Sequence, residues 1–224
     1  DQRSCREIAR SISRNTDLLA TTMQDVPSRH RSVRAAFEYS WQSLSPAQAR
    51  SLAQCSVFRG GFDREAAVSI MAITPDRLTA LLDRSLIRQD DAGRYDMHSL
   101  ISQLAAQHLA TDPHGDRQKT LARHSAFYLT WVGDQEAAIF RNDKDTLRLL
   151  RLEFENIRQA WKQALADGAD DLIDHSMIAI YEYCHLEGLI GDATDLFAAA
   201  IDQIRRSSRF GSAGQGHGLD QVLS

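Results

Sequence analysis

Leu86-Ile-Arg-Gln-Asp-Asp-Ala-Gly-Arg-Tyr-Asp-Met-His98 is the stretch on which the fold reading turns. Before and after it, apolar residues recur at spacings of three and four, the signature of amphipathic helix. Within it that period is lost, and Asp90-Asp-Ala-Gly93 supplies hairpin-turn chemistry. Residues 86–89 and 94–98 therefore read as two short strands.

Working outward toward the N-terminus, Val33, Ala36, Phe37, Ser40, Trp41 and Leu44 fall on one helical face. Ser45-Pro46-Ala47-Gln48 announces a second helix, with an N-cap, a proline at the first helical position and a capping-box glutamine. It runs to about Gln54, with Leu52 and Ala53 inward. Residues 55–62 form a buried connector in which Gly60 and Gly61 permit a sharp bend. Asp63 caps a third helix carrying Ala66, Ala67, Ile70 and Met71, and Thr74-Pro75 is expected to cap a fourth with Leu78, Leu81 and Leu82 at core spacing. Beyond the hairpin, Leu100, Ile101, Leu104, Ala105 and Leu109 define a closing helix. Helices, a hairpin and a closing helix are the parts of a winged helix, here over residues 29–112.

The remainder reads as helix only, at about 117–132, 143–167, 171–187 and 192–206. Short polar breaks between them favour antiparallel neighbours. Ala193-x-x-x-Phe197-x-x-Ala200 fits the second helix of a tetratricopeptide unit, whereas Tyr181 and Cys184 stand where its first helix usually has Gly and Tyr. Residues 117–206 are thus expected to form a tetratricopeptide-like antiparallel repeat, with a flexible tail over 207–224. The first 28 residues offer one weak helix (Ile8, Ile12) and a polar connector. The fold class expected is mainly α.

Composition narrows the function. Of the 224 residues 43% are hydrophobic and 25% charged, and the net charge is −4, which gives no electrostatic footprint for nucleic acid or an anionic membrane. Cys5, Cys55 and Cys184 are odd in number and far apart, without metal spacing, so a reducing cytoplasm is the expected setting. No apolar run of membrane-spanning length occurs. The chain does not begin with Met and is read as a piece of a longer polypeptide.

Four segments carry a resemblance by their order and spacing: residues 29–46 (Arg29-His-Arg-Ser-Val-Arg-Ala-Ala-Phe-Glu-Tyr-Ser-Trp-Gln-Ser-Leu-Ser-Pro46), Ser56-Val-Phe-Arg-Gly-Gly-Phe62, Arg84-Ser-Leu86 and Tyr95-Asp-Met-His-Ser-Leu100. Together they resemble the region after the NB-ARC-like ATPase core in bacterial signal-transduction ATPases with numerous domains (the STAND class). The resemblance covers roughly residues 17–110. Tyr128 and the stretch 152–165, with Glu155-Asn156-Ile157-Arg158, resemble more loosely the helical sensor that follows in that class. It implies that residues 1–28 end the lid or linker of an upstream ATPase, and that the winged helix holds a closed ADP state. The helical region would then relay a protein or small-molecule signal, in a regulator of transcription. The histidine of the family's Met-His-Asp motif contacts the diphosphate. Met97-His98 matches and Ser99 replaces the Asp, so the resemblance makes His98 the cofactor-binding candidate and leaves Ser99 to cap the next helix.

No phosphate-binding G-x-x-x-x-G-K-[ST] occurs, so no catalytic residue is expected here, and ATP or ADP with magnesium would belong to the upstream domain. Two other classes stand beside this reading: a nucleotide-independent protein-interaction scaffold, and a DNA-binding winged helix. The second is disfavoured because Asp76 and Asp83 cancel Arg77 and Arg84 on the helix before the hairpin, and Asp90 and Asp91 oppose Arg88 and Arg94. Arg29, His30, Arg31 and Arg34 read as a solvated helix start or a contact to the ATPase core. His108, His114 and His124, with Asp112 and Asp116, share no helical face and read as solvent-exposed residues rather than metal ligands. Trp41, Trp131 and Trp161 read as core anchors.

Overall fold

The computed structural model describes residues 28–112 and 116–213. The weak helix expected around Ile8 and Ile12 lies outside the described residues, as do Cys5, His114 and residues 214–224 of the expected tail. The chain divides into two compact units, Asp1–Ser45 and Pro46–Ser224. In the first, helix α1 (Ser28–Gln42) buries Phe37, whose ring centroid lies 5.7 Å from that of Trp41.

The second unit begins with three short helices: α2 (Pro46–Cys55), α3 (Arg64–Met71) and α4 (Pro75–Asp83). Each starts where the sequence places a stop-and-start signal. Asp63 accepts the Ala66 N–H at 2.7 Å and caps α3. Thr74 makes no side-chain cap, so Pro75 at the first position opens α4 through its fixed φ alone.

The hairpin follows, with β1 (Arg88–Gln89) antiparallel to β2 (Tyr95–Asp96) and Gln89 opposite Tyr95. The turn closes as its composition predicts: Asp90 Oδ1 accepts from Ala92 N (3.0 Å) and Arg94 N (2.8 Å), and Gly93 takes φ +82°. The strands are shorter than expected: Leu86 gives its N–H back to Leu81 O at 3.1 Å, and it and Ile87 are buried without a ladder partner in β2. A third edge comes from the glycine connector. Phe62 and Tyr95 exchange both backbone hydrogen bonds, at 2.9 and 2.8 Å, so Gly60 and Gly61, at φ +77° and +87°, deliver Phe62 to β2.

Then come α5 (Ser99–Ala110), α6 (Asp116–Asp134), the short α7 (Glu136–Phe140), α8 (Lys144–Asp167), α9 (Asp170–Leu186) and α10 (Ile190–Ala213). α7 falls where the sequence suggested only a break; it seats Ile139 in the core. α10 runs to Ala213, past the expected end near 206, because residues 207–210 contain no helix breaker. α8 keeps close to the expected span of 143–167: Asp143 accepts the Thr146 N–H at 2.9 Å and caps it, and Gly168 closes the helix at φ +67°.

The core of the second unit sits where α6 packs on α8 and α9, with α3 against the same α6. Leu129, Leu150, Ile157, Ala160, Trp161 and Ala179 are almost fully enclosed there. The Trp161 indole N–H donates to Leu196 O at 3.1 Å, anchoring α10 while the ring fills the core. Trp131 and Trp41 are only half-buried, so of the three tryptophans only Trp161 is a full core anchor. α6 and α9 cross at Gly133, where an added Cβ would lie 2.7 Å from the backbone oxygen of His175. Only a glycine allows that approach.

Candidate functional site

His98 ends the hairpin and begins α5. Its backbone is non-helical (φ −54°, ψ +135°), and its Nδ1 accepts the Leu100 N–H at 3.3 Å. The cap of this helix is therefore His98 itself, not Ser99 as the sequence suggested. The reason is register: Ser99 is already the first helical residue, so the residue before it meets the free N–H groups of the first turn. Accepting at Nδ1 leaves the proton of the neutral ring on Nε2. The side chain is exposed, so a donor stands in solvent at the positive end of a 12-residue helix.

A second constellation is buried, and it joins the glycine connector and hairpin to α8. Asn156, fully enclosed on α8, accepts the Arg59 N–H at 2.6 Å through Oδ1. Its Nδ2 donates to Gly61 O (2.9 Å) and to Glu153 Oε2 (2.8 Å). Its amide thus pairs with the connector backbone much as a neighbouring strand would. Arg94, leaving the hairpin turn, forms an ion pair with Glu153 and donates to Gly61 O at 3.1 Å and Gly60 O at 3.3 Å. Burial works against the Arg94 cation, but the Glu153 hydrogen bond and charge outweigh it and raise its pKa. Gly61 cannot be replaced here: a Cβ would lie 2.7 Å from Tyr95 O.

His124 and Tyr128 on α6 line the same joint. His124 is fully buried, with Nε2 3.5 Å from Asn156 Oδ1 and Nδ1 without a partner among the described residues. Its expected exposure is therefore wrong. Leu121, Tyr128 and His124 share one helical face, and that face meets α8 and the connector. Burial pulls its pKa down to about 4, with the Arg59 charge adding to the effect against the Asn156 hydrogen bond. Tyr128 packs on His124 with ring centroids 4.7 Å apart. Burial first, and the Glu153 charge second, push its phenol up.

The remaining sequence candidates stay apart. His108 lies on α5, half-buried, and Asp112 follows that helix. Asp116 instead forms a bidentate pair with Arg50, fastening the start of α6 to α2. Among the described residues no group of three His, Cys, Asp or Glu could hold a metal ion. Cys55 and Cys184 are both buried and free, and burial raises their thiols to about 12 and about 11. Among the described residues no helix is long and apolar enough to cross a membrane. A groove of about 460 Å³ beside the hairpin is lined by Gly60, Gly61, Arg88, Gln89, Arg94 and Leu152, and His98 is not part of its wall.

Sequence reading missed the joint. One signal was present: Glu153 and Asn156 interrupt the apolar face of α8 formed by Leu150, Phe154 and Ile157, so two polar groups sat at core positions. Buried polar groups require partners. Nothing local names Arg59, Gly61 and Arg94 as those partners.

No family model matches the chain, and no curated protein or solved structure matches it.

Proposed function

We propose that this chain is a non-catalytic latch of a nucleotide-dependent signalling switch of the STAND class. In this reading residues 29–112 act as a winged helix holding a closed, ADP-bound ATPase core, and the tetratricopeptide-like region 117–206 relays a signal to it in the cytoplasm. The observation that carries the reading is the geometry of His98. Its Nδ1 is engaged by its own helix and its Nε2–H is left for an anion at a helix N-terminus. Such a group suits the terminal phosphate of a diphosphate held by another domain. The joint at Asn156 and Arg94 supports the relay, because a displacement of α8 is passed to the hairpin, and so to His98, through hydrogen bonds instead of a slack linker.

The test is nucleotide retention in a longer protein containing both this chain and its ATPase core. His98→Ala removes cap and donor together, and should speed ADP release about tenfold or more and raise basal signalling. His98→Asn keeps a helix-capping oxygen while withdrawing the ring donor, and should do the same. If His98→Asn releases ADP at the parent rate, His98 is a structural cap and the latch reading fails.

A further inference from the structure

The stretch 163–204 contains no lysine or arginine, although the chain holds 26 of them, and it carries nine carboxylates. Glu187 and Asp192 are taken up by Arg151 and Arg158 of α8. Asp171, Asp174 and Glu182, all on α9, have no cationic partner among the residues whose side chains are described, which on α10 end at Gln203. They share the solvent face of α9 with two large apolar side chains, Ile178 (47% exposed) and Tyr181 (53% exposed). Tyr181 meets Phe197 of α10 edge-on at 6.2 Å, and Ile201, one turn further along α10, is 49% exposed. The apolar side chains of the two helices therefore make one strip, and the carboxylates of Asp171, Asp174 and Glu182 flank it.

Each half of this arrangement is costly to leave in water or to cover wrongly. An apolar strip crossing two helices favours burial. An apolar cover without charge would desolvate the carboxylates uncompensated. An anionic membrane or a nucleic acid would be repelled by them. A polypeptide segment presenting apolar side chains between lysines or arginines satisfies both halves at once. We propose that the α9–α10 face is a docking site for a cationic amphipathic segment of a partner protein. This deepens the reading of the helical region as the receiver of a signal and rests on it. It is read out by partner binding, whereas the latch reading is read out by ADP release, so either can fail alone.

The experiment titrates the full chain into a fluorescently labelled synthetic amphipathic helix of lysine and leucine. Binding should weaken with added salt. Tyr181→Ala and Ile178→Ser should each weaken it about tenfold. Asp174→Asn with Glu182→Gln should weaken it severalfold and flatten the salt dependence. All four positions are exposed or half-buried, so unfolding midpoints and circular dichroism should stay at parent values, which separates lost docking from lost folding. The proposal is overturned if these variants leave binding unchanged. It is overturned equally if a scrambled peptide of the same composition, or one with glutamate for lysine, binds as well. Sedimentation showing self-association that Tyr181→Ala abolishes would also overturn it, by assigning the face to a second copy.

Discussion

Helix α8 is held on two sides by opposite kinds of contact. Toward α9 and α10 its enclosed contacts are mainly apolar, Phe154 against Tyr183 with ring centroids 5.2 Å apart and Trp161 against Phe197 at 5.5 Å, and the ion pairs Arg151–Glu187 and Arg158–Asp192 lie at the more exposed rim. Toward the connector and hairpin its partners are polar: Asn156 on Arg59 and Gly61, and Glu153 on Arg94. Apolar packing is strong but weakly directional, and tolerates small shifts of one helix on another. A buried hydrogen-bonded ion pair contributes little net stability but penalises every other arrangement. α8 is thus fixed in depth by one side and in orientation by the other.

The comparison can be broken from either side, and the apolar side should give the largest effect. Trp161→Ala removes a fully enclosed ring and its bond to Leu196, and should cost about 4 kcal/mol in denaturant unfolding. Arg94→Ala leaves the Glu153 carboxylate buried without its cation and should cost about 3 kcal/mol. Replacing Arg94 and Glu153 together by methionine should recover most of that loss, since the pair itself is near break-even. Failure to recover would show that the polar side carries stability and not only orientation.

His124 sharpens the contrast through pH. Its folded pKa lies near 4, below the ordinary 6.5, so the folded state resists the proton that the unfolded chain accepts. Stability is full above about pH 6.5 and falls as the pH drops toward 4, by about 3 kcal/mol in total. Below that the two states bind the proton alike and this contribution levels off. A stability–pH profile of the parent and His124→Gln, which cannot titrate, should diverge over this window. The smallest effect comes from a local cap: Asp63→Ala removes the side-chain acceptor at the start of α3 and should cost about 1 kcal/mol in denaturant unfolding.

Most of the elements follow from local sequence, the short α7 and the far end of α10 excepted. Helical periodicity, the capping aspartates 63 and 143, Gly168 and the Asp90–Gly93 turn act within a few residues of where they stand, and the chain obeys them there. The capping of α5 by His98 was not legible, because one residue of register decides it. Tertiary structure alone decided what the polar residues of α8 are for. Asn156 finds Arg59 across 97 positions and Glu153 finds Arg94 across 59, and no local pattern carries that information. It also turned His124 from an exposed histidine into a buried neutral one, and set Tyr181 of α9 against Phe197 of α10. Local signals fix backbone conformation, whereas burial and charge pairing depend on which faces meet. That is settled only when α6, α8 and the glycine connector come together.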